Sequence, residues 1–274
     1  MRTIFTLLLG LSIIFTAFGQ RQERLSPYKL NKKIDVPLAV AGAAVTAYGF
    51  YRLTQKSDSD SLEIVNLNYQ NDVSRINRNG GPRYSESASK TSDILFYGSM
   101  PLPFLVLLDK NIWRDKGRIS VMYIQALGLT GTMYTTTATN VDKYRPLAYD
   151  ESAPFDERAE GNAKNSFFGG HPSVTATSMF FAAKVVSDYY PDRKGLHWAM
   201  YGGAAVATFA NAYLRVQAGK HFPTDVAVGS LIGALNGILV PQLHKVRDVD
   251  MDKKLSWNFI TGNAHGIALT YKLD

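Results

Sequence analysis

The sequence YLRVQAGKHFPTD, from Tyr213 to Asp225, combines three polar side chains, Arg215, His221 and Asp225, with the start of a predicted helix. Five residues separate Arg215 from His221, and three more separate His221 from Asp225. Pro223 suits the first turn of a helix that continues through an apolar run. His221 is therefore predicted just before a helix N-terminus, where free N–H groups and the helix dipole favour an anion. A guanidinium, an imidazole and a carboxylate at this spacing suit a phosphate group.

The spacing of His221 and Asp225 predicts a contact between their side chains. A carboxylate four residues beyond the histidine can reach back to one imidazole nitrogen. Such a bond fixes the tautomer and stabilises the imidazolium, which leaves the other nitrogen free to attack. An ordinary helix start with surface charges explains these residues equally well when the stretch is considered alone.

A second stretch, SFFGGHPSVTA from Ser166 to Ala176, carries another histidine at a predicted helix start. Gly169 and Gly170 allow the backbone to approach a ligand closely. His171 is followed by Pro172, which suits a first helical turn, and then by an apolar run. Both histidines are thus predicted at helix N-termini, where a phosphate is favourable.

A third piece, KYRP from Lys143 to Pro146, follows an apolar helix. With these three pieces the chain resembles the type 2 phosphatidic acid phosphatase and vanadium haloperoxidase superfamily, whose signatures read K-x6-R-P, P-S-G-H and S-R-x5-H-x3-D. The third signature is present from Leu214 to Asp225, with Leu in place of Ser, and the second keeps Gly170-His171. The first keeps its Arg-Pro but has Ala138 at the lysine position. The resemblance covers the chain from Ser92 to His244.

The resemblance implies an all-α fold with a six-helix core bundle and a phosphatase that uses neither a metal nor another cofactor. Carried over by position, His221 is the nucleophile that forms a phosphohistidine, and Asp225 orients it. His171 protonates the leaving oxygen and then activates water. The substrate would be a lipid phosphate, an isoprenoid phosphate or a small phosphomonoester. A vanadate-dependent haloperoxidase and a non-enzymatic envelope protein are the alternatives.

The resemblance also implies a phosphate-binding set around these histidines. Arg145 and Arg215 would clamp the phosphoryl group with paired guanidinium contacts. The backbone N–H groups of Gly170 and Gly169 would add contacts to its oxygens.

Ala138 supplies no ammonium to the predicted phosphate site. Lys143 is expected to move into the cradle, because it shares a short loop with Arg145, and Lys164 is the second candidate. The alternative is that Lys143 is a solvated loop lysine.

Composition narrows the other classes of function. The 274 residues are enough for one sizeable domain, and with no Cys there is neither a disulfide framework nor a thiolate nucleophile. The net charge is +7, but the basic residues are dispersed, which argues against nucleic-acid binding and suits anionic lipid or phosphate partners. The polar loop after Arg145 carries Asp150, Glu151, Asp156 and Glu157, which we interpret as a solvated loop rather than a metal site. His197, His244 and His265 are interpreted as structural or surface residues.

Four segments are predicted along the chain. Residues 1–19 form a secretory signal, with an uncleaved anchor helix as the alternative, so the protein is expected to be exported to the cell envelope. An N-terminal helix and a polar connector occupy residues 20–91, and the phosphatase core occupies residues 92–245. Residues 246–274 form a tail with a β-hairpin that turns near Gly262-Asn263.

Six apolar helices are predicted, the first over Ile34–Tyr51, and the second is expected to be capped by Ser92 or Asp93 and kinked at two prolines. A short helix is expected over Glu63–Arg75. Basic loops on the side opposite the site match membrane spans with the site facing outward. The mean hydropathy of −0.11 and Lys184 within the fourth helix argue against spanning. Both forms are kept, and membrane association is favoured.

Overall fold

The fold is a bundle of six long helices, as a computed structural model that describes residues 26–78, 81–246, 255–260 and 266–271 shows. The predicted all-α fold is confirmed. The long helices are α1 (Lys32–Thr54), α2 (Glu86–Ser99), α3 (Lys116–Asn140), α4 (Gly170–Tyr189), α5 (Lys194–Gln217) and α6 (Pro223–His244). Short helical turns lie between them at Ser61–Val65, Tyr69–Asp72, Arg75–Arg78, Leu102–Leu105, Val106–Leu108, Lys110–Trp113, Pro146–Tyr149, Phe155–Ala159 and Gly161–Lys164.

Helix α4 is the centre of the bundle and packs against α6, α5, α3 and α2. Its side chains are buried on nearly every face, as expected for a helix that is apolar all round. Phe181, Val185 and Val186 of this helix join Met122 and Tyr123 of α3 in the main hydrophobic core. The two histidine-bearing turns are therefore fixed to the most buried element of the molecule.

Helix α1 packs along α3 through a seam of small residues. A Cβ added at Gly128 would lie 3.0 Å from the backbone carbon of Gly42, so the two backbones are nearly in contact there. A Cβ at Gly131 would lie 2.4 Å from Thr46 Cγ2. Small residues allow this close approach, which is typical of helices that pair within a membrane.

Helix α2 begins earlier than the sequence predicted. The expected cap at Ser92 or Asp93 is wrong, because Ser85 is the N-cap and its Oγ accepts the N–H of Ala88 at 3.3 Å. The apolar run that starts at Ile94 is only the second half of the helix. Asp93 consequently lies mid-helix instead of at a helix start.

The connector before α2 contains three short helical turns, so the single helix expected over Glu63–Arg75 is wrong. The first turn ends at its C-cap, Asn66. Asn68 starts the second turn, because its side-chain oxygen accepts the N–H groups of Gln70 and Asn71 at 3.1 Å each. An asparagine cap of this kind competes with helix continuation.

The C-terminal strands β1 (Leu255–Ile260) and β2 (Gly266–Tyr271) pair antiparallel, with Leu255 opposite Tyr271 and Ile260 opposite Gly266. The predicted hairpin is present. Its turn near Gly262-Asn263, His265 and the predicted signal at residues 1–19 lie outside the described residues.

The two ends of the bundle differ in charge. One end carries the start of α1, the start of α3, the turn between α4 and α5 and the end of α6, where Lys29 N–H donates to the His244 carbonyl. The basic residues at this end are Lys29, Lys32, Lys33, Lys110, Arg114, Lys116, Arg118, Arg193, Lys194 and Lys245. Three helical segments in the described part of the chain are long and apolar enough to cross a membrane, namely Lys32–Thr54, Glu86–Leu108 and Pro223–His244.

Candidate active site

The candidate site lies at the other end of the bundle, where four segments meet. These are the loop after α3, the first turn of α4, the last turn of α5 and the turn into α6. Gly219 makes the last of these turns possible, because its φ is +70° and a Cβ there would lie 1.7 Å from the Arg83 carbonyl oxygen. The turn brings His221 back beneath Arg215.

His221 is almost fully buried, at 1% exposure. Its Nδ1 lies 2.6 Å from the backbone carbonyl oxygen of Ser166. Because a carbonyl only accepts, the neutral ring carries its proton on Nδ1 and its lone pair on Nε2. The ring is thus held in the tautomer that a nucleophile requires.

Asp225 contacts the segment that holds the ring, and Ser166 lies between the carboxylate and the imidazole. Its Oδ2 accepts the Ser166 hydroxyl at 2.6 Å and the Phe222 N–H at 3.1 Å, and its Oδ1 accepts the Lys143 ammonium at 2.5 Å. The contact expected between Asp225 and the ring is therefore replaced by one through Ser166. The carboxylate also caps the first turn of α6.

Lys143 and Lys164 both flank the site. The Lys143 ammonium pairs with Asp225 and lies 4.8 Å from the centroid of the Phe222 ring. Lys164 is buried, and its carbonyl accepts the Lys143 N–H at 2.9 Å. The structure therefore places the Lys143 charge behind His221, on the carboxylate.

Two guanidiniums are buried in the site, and each retains a polar atom without a partner. Arg145 is 5% exposed and donates through Nη2 to Asn162 Oδ1 at 3.1 Å. Arg215 is 4% exposed and donates through Nη1 to Asp93 Oδ1 and to the Ser92 hydroxyl, both at 3.2 Å. The Nε of each arginine is buried without a hydrogen-bond partner. Burying a charged donor unpaired is costly, so these groups are suited to an anion.

His171 lies at the mouth of the site, with its side chain 29% exposed. Its Nε2 is 3.1 Å from Asp93 Oδ1, and its ring packs on Phe96 at 4.2 Å between centroids. Asp93 thus touches both His171 and Arg215. The sequence did not predict this role, because Asp93 was expected to cap a helix and not to lie within one.

The two glycines before His171 differ in whether their backbone N–H groups already have a partner. A Cβ on Gly170 would lie 2.9 Å from the Tyr134 ring, so only glycine fits there without displacement. Gly170 opens α4, where first-turn N–H groups have no partner within the helix. The Gly169 N–H instead donates to the Asp225 carbonyl at 2.9 Å, so a phosphoryl oxygen would compete with that bond.

The site includes Lys220, which no sequence motif marked, and Glu157, which the sequence had placed in a solvated loop. Lys220, directly before His221, pairs with Glu157 at 3.0 Å between Nζ and Oε2. Glu157 also accepts the Tyr84 hydroxyl at 2.9 Å. Glu157 therefore belongs to the rim of the site rather than to a solvated loop. The position of Lys220 directly before His221 in the sequence could have indicated that this lysine belongs to the site.

The electrostatics of the site favour an anion. Burial is the largest cause that holds the pKa of His221 well below its usual range, followed by the charges of Arg215 and Arg145. Burial and the charges of Arg215, Arg145 and Lys220 likewise lower the pKa of His171, although Asp93 at 3.1 Å opposes the effect. A bound dianion would reverse these shifts and favour protonated His171.

No group of three or more His, Asp or Glu side chains in the described part of the chain is placed to hold a metal ion. His197 and His244 lie away from the cradle, where their ring nitrogens contact the carbonyls of Tyr190 and Val240 at 2.8 Å each.

Comparison with known proteins defines the class. Residues 119–248 match the family model of the PAP2 superfamily. A crystal structure of Aquifex aeolicus LpxE is similar at a TM-score of 0.41 and 21% sequence identity, over 60% of this chain and 92% of that chain. Curated proteins show no significant match.

The resemblance predicted from the sequence motifs is thus confirmed over residues 119–248, which form a PAP2 superfamily domain. That domain identifies the chain as a phosphatase, a hydrolase of phosphoric monoesters.

Proposed function

We propose that the chain hydrolyses a lipid or isoprenoid phosphate through a phosphohistidine at His221, without a metal ion. The observation that supports this most is the pair of buried guanidiniums, Arg145 and Arg215, each with an Nε that lacks a partner. Two forked cations beside a buried imidazole suit the three equatorial oxygens of a transferring phosphoryl group.

In the first step each of the two histidines has one role. The Nε2 lone pair of His221 attacks phosphorus, and the bond from phosphorus to the ester oxygen breaks. His171 donates its proton to the leaving oxygen, which departs as an alcohol. The Arg145 and Arg215 guanidiniums and the Gly170 N–H stabilise the charge on the phosphoryl oxygens.

The second step returns the enzyme to its starting state. Neutral His171 takes a proton from water, whose oxygen attacks phosphorus, and the bond between phosphorus and His221 Nε2 breaks. Inorganic phosphate leaves. Asp225 acts through Ser166, because the hydroxyl it accepts belongs to the residue whose carbonyl fixes the His221 ring.

A lipid substrate and an envelope location fit the surface of the bundle. Helix α1 exposes apolar side chains along its length, including Leu38 at 57%, Val40 at 64% and Tyr48 at 60% exposure. Such a surface marks a membrane or another apolar partner. The basic end of the bundle lies opposite the site, which suits a membrane protein whose site faces away from the cytosol.

Phosphate release by the purified full chain in detergent tests the proposal. We expect release from lipid or isoprenoid phosphates that survives chelation by EDTA and is lost in His221→Asn. Release from soluble esters alone would overturn the lipid assignment, and restoration by a divalent ion after EDTA would overturn the metal-free mechanism. Bromide peroxidation with added vanadate and no phosphate release would identify a haloperoxidase.

A further inference from the structure

The proposed mechanism leaves a question of charge. A bound phosphoryl dianion carries more negative charge than the two arginines neutralise, since Asp93 already pairs with Arg215. Ala138, where the motif lysine would lie, is fully buried, and its carbonyl accepts the Lys56 ammonium at 2.8 Å. Lys56 is itself paired with Asp142 at 2.6 Å. The Lys56 ammonium is therefore already engaged by these partners.

Lys220 is placed differently. Its side chain is only 15% exposed, and its backbone N–H donates to the Arg215 carbonyl at 3.1 Å. An ammonium has three donors, and Glu157 Oε2 accepts one of them at 3.0 Å. Glu157 is held in turn by the Tyr84 hydroxyl. The carboxylate thus holds the ammonium in place and leaves it donors for a ligand.

The charge of Lys220 interacts with the charges of the two site arginines and with His171. Burial is the largest cause that lowers the pKa of Lys220, followed by the charge of Arg145, and Arg215 contributes as well. The charge of Lys220 in turn lowers the pKa of His171. Three cations that repel one another in a poorly hydrated site are stabilised together when an anion binds between them.

Building on the proposed function, we propose that Lys220 is the third cation of the phosphate site and contacts the phosphoryl oxygens directly, with Glu157 holding it in position. Lys143, which the sequence favoured for this role, instead stabilises the Asp225 carboxylate behind the nucleophile.

Binding of orthovanadate, measured by titration calorimetry on the full chain in detergent, tests the proposal without turnover. Lys220→Met keeps the aliphatic stem and removes the charge, so we expect vanadate binding to weaken about 10- to 100-fold. Lys220→Arg should recover most of the loss. Lys90→Met is the matched control, because Lys90 also pairs with a glutamate but is 71% exposed on the outer face of α2.

Kinetics on the same variants separate this inference from the proposed function. If wild-type protein releases phosphate and His221→Asn does not, while Lys220→Met matches wild type in kcat/KM and vanadate affinity, Lys220 is not in the site. Equal losses in Lys220→Met and Lys220→Arg would also overturn the inference, because charge would then not be the cause. If wild-type protein binds vanadate but hydrolyses nothing, the proposed function fails and the vanadate series still decides the role of Lys220. Absence of vanadate binding by wild type overturns both.

Discussion

The two site histidines are expected to make the folded protein less stable as the pH falls. The folded-state pKa values of His171 and His221 are lowered, whereas an unfolded histidine titrates near about 6.5. Below that pH the unfolded chain binds protons that the folded chain does not. Stability is therefore fully present above it and decreases as the pH falls.

Thermal unfolding between neutral and acidic pH measures this effect. We expect the melting temperature of wild type to fall on acidification, and the fall to be smaller in His171→Gln, which lacks one of the two groups. Added phosphate should protect the protein. An identical acid dependence in wild type and variant would contradict the assigned electrostatics.

Arg145 and Arg215 are predicted to resist conservative substitution. Lysine keeps the charge but cannot make the paired hydrogen bonds of a guanidinium. Arg145→Lys and Arg215→Lys should therefore each lower kcat/KM about 100-fold, which is the usual effect of losing one oxyanion donor. The exposed Arg52→Lys in α1 is the matched control and should retain activity. Near wild-type activity in both site variants would place the phosphate site elsewhere.

The sequence identified the residues of the candidate site that lie within motifs. It missed those that reach the candidate site from other helices and loops. The spacing of Arg215, His221 and Asp225 is local, so one turn and one helix start define it. Asp93 reaches the site from a helix whose start was placed two turns too late. Ser166 contributes a backbone carbonyl, and no residue pattern specifies a carbonyl.

Among the helices, the contact between α1 and α3 carries the clearest prediction. Gly128→Ala places a Cβ 3.0 Å from the backbone carbon of Gly42, so the facing backbone must shift by a few tenths of an ångström to accept it. Overpacking of this kind costs about 1–3 kcal/mol of unfolding free energy. A lower melting temperature in detergent is therefore expected.

Gly202→Ala in α5 is the matched control, because a Cβ there meets nothing within 4 Å. Alanine favours a helix over glycine, so its stability should be equal to or above that of wild type. If Gly128→Ala is as stable as Gly202→Ala, the close packing of α1 on α3 is not correct.

The number and order of the long helices followed from the apolar runs, because each run is long enough to form several turns. The first residues of the helices could not all be predicted from these apolar runs. Ser85 caps α2 through a polar first half, SESASKTSD, that carries no apolar periodicity. A polar helix half is held by the elements that pack on it, and a single sequence does not specify those.

For the whole molecule, the charge asymmetry predicts an orientation. The chain has no cysteine, so single cysteines can be introduced without a background. Ser152→Cys lies in the exposed loop at the site end, and Lys194→Cys lies at the exposed start of α5 at the basic end. We expect a membrane-impermeant maleimide to label the first in intact cells and the second only after permeabilisation.

The reverse labelling would contradict the proposed orientation, and equal labelling of both in intact cells would contradict a membrane-spanning arrangement. The sequence predicted the sign of this asymmetry, because basic loops are visible as residues. It left spanning open, since a low mean hydropathy averages apolar helices with long polar connectors.

A phosphohistidine at His221 can be detected directly as a phosphoenzyme. Purified protein, mixed with a radiolabelled lipid phosphate and quenched in base, should yield a phosphate that is stable to base, labile to acid and located at His221 by peptide mass spectrometry. His197→Asn, which alters a histidine outside the cradle, should retain it, and His221→Asn should lose it together with turnover. Label retained in His221→Asn, or turnover by that variant at the wild-type rate, would contradict a phosphohistidine intermediate at His221.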